Sequence, residues 1–175
     1  MIADPDLVHI RAAIEASRLS CAESGEVRPK VGAVVVLNGI VLATAYRGEI
    51  PERHAEVIAL EDKLAVTSIV GAVVYTTLEP CVRRGPGKIP CADRLVERRV
   101  SRVVIGMIDP DPTISGRGIL ALRDAGIEVD LFPVVLMAEV EALNREFSRR
   151  FPRARQPPTS TGGRFKATAS LWRLF

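Results

Sequence analysis

Val31-Gly-Ala-Val-Val-Val-Leu37, Asn38-Gly39 and Ile40-Val-Leu-Ala-Thr-Ala-Tyr46 follow one another without a charged residue. Two apolar, largely β-branched runs joined by Asn-Gly predict a β-hairpin, because both turn positions tolerate positive φ. The stretch is 16 residues long with a turn in its middle, too short and too interrupted to span a bilayer. Upstream, Leu7, Ile10, Ile14 and Cys21, with Ala13 and Ser17 between them, recur at helical spacing and predict a helix that stops near Glu23-Ser24-Gly25. Cys21 is then a core residue on the apolar stripe, and His9 a surface residue of the same helix.

Downstream of the hairpin, helices and strands alternate. His54 to Leu64 reads as a helix, Ile69 to Thr76 as a buried strand, and Pro90 to Arg98 as a helix with Pro near its start. Arg102 to Met107 is a strand, Ser115 to Ala125 a helix ending at Gly126, and Ile127 to Phe132 a strand. Leu136 to Phe151 closes as a helix with Leu136, Val140, Leu143 and Phe147 on one stripe. The order α-β-β-α-β-α-β-α-β-α gives an α/β protein, a three-layer α/β/α sandwich on a five-stranded mixed sheet whose later strands are parallel. Residues 1–151 form one domain. Residues 152–175 are a basic, Pro- and Gly-containing linker and an apolar tail with Phe165, Leu171, Trp172, Leu174 and Phe175.

Composition narrows the class. The chain has 175 residues, 47% of them hydrophobic and only 5% aromatic, enough for a core and unlike a disordered chain. Three cysteines cannot pair completely into a disulfide framework. The acidic start, Met1-Ile-Ala-Asp4-Pro-Asp6, lacks the basic and apolar regions of a signal peptide. A cytoplasmic protein without a membrane segment is the expectation. The net charge of +3 comes from residues 152–175, which hold five basic side chains and no acidic one, leaving 19 basic against 21 acidic residues in 1–151. The body is slightly acidic, so the overall charge is no argument for nucleic-acid binding.

Four residues carry chemistry: His54 and Glu56 in His-Ala-Glu, and Cys81 and Cys91, each preceded by proline. One imidazole and two thiolates supply three ligands to a tetrahedral zinc and leave one position open, the pattern of a catalytic site. Cys91 opens a helix, where the dipole favours a thiolate. Glu56, two residues beyond His54, is placed to move a proton without ligating. One Zn2+ per chain is expected. A closed structural zinc needs a fourth protein ligand, and only Cys21 or His9 could supply it, both far from the ligand motifs.

His-x-Glu followed by Pro-Cys and a second cysteine resembles the zinc-deaminase signature, in which the glutamate is acid and base rather than ligand. Here nine residues, Val82 to Pro90, separate the cysteines instead of two. Tyr75-Thr-Thr-Leu-Glu-Pro-Cys81, Pro90-Cys-Ala-Asp-Arg94, Arg102-Val-Val-Ile-Gly-Met107, Asp109-Pro-Asp-Pro112 and Ser115-Gly-Arg-Gly118 resemble the deaminase domain of riboflavin biosynthesis proteins. Pro29-Lys-Val-Gly-Ala33, Ala125-Gly-Ile-Glu-Val129 and Leu143-Asn-Arg145 extend the resemblance over about residues 7 to 151. It implies a cytidine-deaminase-like fold and hydrolytic loss of an exocyclic amine, as ammonia, from an aminopyrimidine ribosylamino phosphate. It also implies assembly into a homodimer or larger oligomer. Carried over, His54, Cys81 and Cys91 hold zinc, Glu56 shuttles protons, and main-chain groups around Ala55 and Glu79 orient the amine end of the ring.

Departures from the family pattern fall where substrate is read. Val27-Arg28-Pro29-Lys30 stands where the family has Thr-Pro-Asn-Pro, so Arg28 holds the ring- or sugar-binding asparagine position. Val82-Arg83 replaces a Ser-His pair, and Asp109-Pro-Asp111-Pro replaces Asp-Pro-Asn-Pro. Arg28, Ala55, Glu79, Arg83, Asp109 and Asp111 are therefore the candidate substrate-binding residues. A guanidinium at Arg28 or Arg83 suits phosphate, whereas Asp111 repels it. Arg47 and Lys88 read as ordinary charges of exposed loops. Two other readings stay open. One is deamination of cytosine in a nucleoside, nucleotide or single-stranded nucleic acid, the polymer disfavoured by the acidic body. The other is a non-catalytic binding module clipped by zinc.

Overall fold

The computed structural model describes residues 4–21 and 25–151. The expectations for the tail, 152–175, lie outside the described residues. A first helix, α1 (Asp4–Arg18), leads into strands β1 (Gly32–Leu37) and β2 (Ile40–Tyr46). Helix α2 (Ala55–Val57) continues directly into a π-helical turn (Ile58–Lys63), and β3 (Val73–Thr76) follows. Then come α3 (Cys91–Glu97), β4 (Arg102–Ile105), α4 (Arg117–Asp124), β5 (Glu128–Leu131), α5 (Val134–Leu143) and the short α6 (Arg145–Ser148). The expected order holds, with the last helix broken in two at Asn144.

Asn38 and Gly39 both take positive φ, 52° and 77°, which is the turn that lets the right-handed twist of β1 run into β2. The five strands lie in the order β2-β1-β3-β4-β5. β1 is antiparallel to β2 and to β3, while β3, β4 and β5 are mutually parallel. The sheet is mixed, as expected. Its topology brings the carboxyl ends of β2, β3, β4 and β5 to the same edge as the amino end of β1, and ligand sites of open α/β sheets lie outside such carboxyl ends.

Two apolar cores cover the two faces. Val35, Val74, Val103 and Ile105 pack with Ile58, Leu60, Leu95 and Leu122, placing α2, α3 and α4 on one side. Val34, Tyr75 and Val104 pack with Ile10, Ile14, Leu136 and Val140, placing α1 and α5 on the other. Gly32 allows α1 to lie against β1. A Cβ there would sit 2.1 Å from the Ala13 carbonyl oxygen, so any larger residue must push the helix off the sheet.

Three expectations are corrected. Helix α1 ends at Arg18, short of Cys21, and Cys21 is exposed instead of joining the core. His9 is half-buried, its ring 5.2 Å from that of Tyr75, because α1 lies flat on the sheet and turns this position inward. Arg47 is buried rather than a loop charge, since its backbone N–H extends the β1–β2 pairing by donating to Val31 O at 2.8 Å. Among the described residues no helix is long and apolar enough to cross a membrane.

Candidate metal and catalytic centre

His54 precedes α2 with extended backbone, and its carbonyl accepts the N–H of Ile58 at 3.0 Å. Residues 55–60 are all buried, so this helix has no solvent face and its opening residues are fixed by packing. The π-helical turn replaces the α-helix expected through Leu64; wide turns of this kind frequently accompany functional sites. Cys81 sits on the loop leaving β3, and Cys91 is the first residue of α3. The Val82–Pro90 spacer leaves and returns, so Ala92 N–H donates to Cys81 O at 3.1 Å.

This geometry brings His54 Nδ1, Cys81 Sγ and Cys91 Sγ within 4.8 Å of one another. The imidazole nitrogen is 3.7 Å from Cys81 Sγ and 3.4 Å from Cys91 Sγ. Ligands at the usual zinc distances on a tetrahedral ion would have N–S edges of about 3.5 Å, so the donor set fits zinc in both chemistry and spacing. Neither Cys21 nor His9 belongs to the cluster, and among the described residues three protein ligands gather rather than four. A closed structural site is therefore not built here.

The electrostatics follow from burial. Cys91 N–H donates to Cys81 Sγ at 3.5 Å. The hydrogen bond from the Cys91 thiol, with further bonds from His54 and the Cys91 backbone, brings the Cys81 thiol down to about 4. The same sulfur pair pushes Cys91 up, reinforced by burial and by the charge of Glu56. A divalent cation held between the two sulfurs would favour the thiolate form of both.

Glu56 is 4% exposed, and burial raises its carboxyl above the ordinary glutamate range, opposed chiefly by His54. Its Oε1 accepts from Thr76 Oγ1 at 3.0 Å, and its Oε2 faces Cys91 Sγ at 3.6 Å. One oxygen is thus held by the end of β3 while the other points at the ligand cluster. The residue types around His54 predicted this carboxylate, but nothing in the sequence singled out Thr76.

The remaining candidates divide. Ala55 is buried between His54 and Glu56. Glu79 is buried, and its side chain is fully engaged elsewhere. Oε2 accepts from Asp109 N–H and Gly116 N–H at 3.1 and 2.9 Å; Oε1 accepts from Gly118 N–H and Ile119 N–H at 2.8 and 3.2 Å. The carboxylate ties the Pro80-Cys81 loop to the start of α4 and to the loop after β4. Gly118 permits this, since a Cβ there would meet Pro80 O at 2.2 Å. Asp109 is buried and accepts from Asp111 N–H at 2.9 Å, and burial pushes its carboxyl up to about 6. Asp111 accepts from the N–H and hydroxyl of Thr113. Arg28 is exposed and paired with Glu26 at 2.7 Å. Arg83 and Lys88 are exposed on the spacer.

Asn144 is the buried residue whose structural use only the fold reveals. Its side chain accepts from Lys30 N–H at 2.7 Å and donates to Lys30 O at 3.1 Å, pinning the segment that enters β1 to the helix break near the end of the domain.

Comparison with known proteins agrees with this geometry. Residues 5–107 match the family described as the cytidine and deoxycytidylate deaminase zinc-binding region. The chain is 42% identical over 122 residues to the riboflavin biosynthesis protein RibD of Escherichia coli (strain K12), covering 70% of this chain and 32% of that protein. It therefore spans about a third of the length of that relative. It is 37% identical over 145 residues to the diaminohydroxyphosphoribosylamino-pyrimidine deaminase of Buchnera aphidicola, covering 83% of this chain and 95% of that protein. A solved structure of Acinetobacter baumannii RibD superposes with a TM-score of 0.74 at 31% identity, over 84% of this chain and 40% of that one.

Proposed function

We propose, from the premise that the chain belongs to the cytidine and deoxycytidylate deaminase zinc-binding family, that it hydrolyses an exocyclic amine from a phosphoribosylaminopyrimidine and releases ammonia. The observation that carries this reading is the convergence of His54 Nδ1, Cys81 Sγ and Cys91 Sγ, with Glu56 Oε2 directed at the same cluster. The substrate class is that named for the Buchnera aphidicola relative, which the chain matches over nearly its whole length.

His54, Cys81 and Cys91 would hold zinc. Zinc bound there supplies Lewis-acid chemistry that makes water nucleophilic at neutral pH. Glu56 moves the protons: its raised carboxyl is suited to take one from the attacking water at Oε2 and to return it to the departing amine. Thr76 holds Oε1 so that this face does not rotate away. Burial of Ala55, Glu56 and Cys91 excludes bulk solvent from the back of the site. Main-chain groups at Ala55 and beside Glu79 orient the ring. Arg28, Arg83, Asp109 and Asp111 read the remainder of the substrate from the loops around the sheet edge. Self-association into a dimer or larger, and a cytoplasmic location, belong to the same reading; light scattering tests the first.

The test is ammonia release by zinc-quantified protein from the diamino ribosylamino pyrimidinone phosphate, beside cytidine, deoxycytidine, their phosphates, and single-stranded DNA and RNA. Glu56→Ala and Cys81→Ala are run in parallel. Turnover of the riboflavin intermediate that disappears in both variants supports the proposal. Turnover of cytosine compounds alone replaces the substrate, and zinc without any turnover reduces the chain to a binding module.

A further inference from the structure

Helices α3 and α4 pack beside one another on the same face of the sheet and leave a groove of about 870 Å3, bordered by Gly87–Pro90 of the spacer. Its apolar lining is Ile89, Val96 and Ala121, and both Ile89 and Val96 are exposed. Leu120, exposed on α4 one turn before Asp124, continues the apolar strip. Three carboxylates line the same groove, Asp93, Glu97 and Asp124, against one cation, Lys88. None of the three carboxylates forms an ion pair among the described residues. Asp93 and Glu97 stand four apart on α3, a spacing at which like charges repel.

The arginines of these helices do not relieve that charge. Arg94 pairs with Glu61 and donates Nε to Ile89 O at 3.3 Å. Arg98 donates Nη2 to Leu64 O and Thr67 O, both at 2.8 Å, and Arg123 donates Nη2 to Val129 O at 3.3 Å. The groove is therefore apolar along its length and acidic at its rim, and it fits a segment that is apolar and basic.

We propose that this groove between α3 and α4 is the docking site of residues 164–175 of the same chain. That segment lies outside the described residues and holds Phe165, Leu171, Trp172, Leu174 and Phe175 interleaved with Arg164, Lys166 and Arg173, without a carboxylate side chain. The described chain leaves off at Phe151, and residues 152–163 can span about 40 Å, the diameter of a domain of this size. The groove is within reach wherever the segment departs. Tethering sets an effective concentration on the order of millimolar, so the chain's own segment outcompetes that of a second copy. The two other open apolar surfaces fit less well. The cavity at the carboxyl end of β4 is walled by Arg145, Arg149 and Arg150, which repel a basic segment. The exposed Val134–Val135 face lies in a run, 131–138, with no charged residue to attract one. Docked against Lys88–Pro90, the segment gives the spacer between the two zinc-ligand cysteines a fixed wall.

Trp172 is the sole tryptophan, so indole fluorescence of the zinc-loaded full chain reads the docking directly. The variants are Glu97→Lys with Asp124→Lys, Arg164→Glu with Lys166→Glu, and all four together. Glu97 and Asp124 are exposed and end their helices, where lysine suits the dipole, so the fold should persist; circular dichroism checks it. The expected result is a blue-shifted, acrylamide-shielded indole in the wild type. Either charge-reversed pair should lower the docking equilibrium roughly 10-fold, moving the emission toward that of a free 164–175 peptide. The fourfold variant should restore the wild-type spectrum. A solvent-exposed indole in the wild type overturns the proposal. So does shielding that the groove variants leave untouched, which moves the segment to another surface, or a loss that the fourfold variant does not restore. A shift that fades on dilution overturns the same-chain occupant and gives the groove to the segment of a second copy.

Discussion

Thr76 Oγ1 donates to Glu56 Oε1 at 3.0 Å, joining the last residue of β3 to the carboxylate beside the metal ligands. Thr76 is completely buried, so no water can replace that bond. Thr76→Val keeps the shape and removes the hydroxyl. The expected outcome is a drop in kcat of roughly 10-fold, from about 1–1.5 kcal/mol of lost orientation, with zinc content and KM unchanged. Steady-state kinetics alongside metal analysis checks this; unchanged kcat means Glu56 is oriented by other contacts.

Removal of the metal should affect fold as well as activity. His54, Cys81 and Cys91 come from three different segments, before α2, after β3 and at the start of α3, so an ion joining them ties these elements together. Chelation is expected to lower Tm and to abolish ammonia release, with both restored by one equivalent of zinc. A Tm indifferent to chelator would show the three side chains to be preorganised by packing alone.

Arg102 carries a prediction on stability. Its guanidinium bonds to Asp6 at 3.1 Å and to Asp130 at 2.6 Å, and Tyr75 OH donates to Asp6 at 2.5 Å. Asp6 is buried, so Arg102→Ala strips a nearby cation from a carboxylate that water cannot reach, at a cost of about 3 kcal/mol. Arg102 also helps hold the Asp130 carboxyl below its ordinary range. A depressed carboxyl stabilises the fold above its unfolded value, near 3.9, and that contribution disappears as pH falls through the folded value. Denaturant titrations should therefore show a large loss for Arg102→Ala at pH 7 that shrinks in the acid range. A deficit constant with pH would mean that packing, not charge, is what was removed.

Asp109 has the opposite sign. Burial lifts its carboxyl to about 6, so the folded state favours the protonated form. Its ionisation costs stability as pH climbs from about 4 through 6. Asp109→Asn can still accept from Asp111 N–H and carries no charge. It should be more stable than wild type at pH 8, by roughly 2–4 °C in Tm, and little different at pH 4. Thermal melts across that range decide it, and a variant less stable at pH 8 would show that the carboxylate is compensated there.

Much of this was readable from residue patterns because it is local. Asn38-Gly39 fixes a hairpin through backbone conformation alone, and the alternation of apolar runs after Val73 announces a parallel α/β sheet. His54, Glu56, Cys81 and Cys91 could be picked out because few residue types ligate zinc and few spacings suit them. Cys21 and His9 depart from expectation for one shared reason: a periodic pattern says which residues share a face but not where the helix ends or what lies against it. Arg47 is a separate case, a charge just past β2 whose N–H continues the pairing with β1. Helix α1 stopped at Arg18, leaving Cys21 in solvent, and its position on the sheet turned His9 toward Tyr75.

The residue pattern by itself determined the fold class and the ligand set, and it singled out the carboxylate of Glu56 beside them, all of which depend on residue type and short spacing. Tertiary structure alone decided the tasks of the long-range partners. The Glu79 side chain became the clasp of four backbone N–H groups. Thr76 aligned Glu56, and Asn144 locked Lys30 across 114 residues of chain. The reason is that a buried polar group must find a partner once water is gone. Which group it finds depends on the chain segments that packing sets beside it, however far apart they lie in sequence.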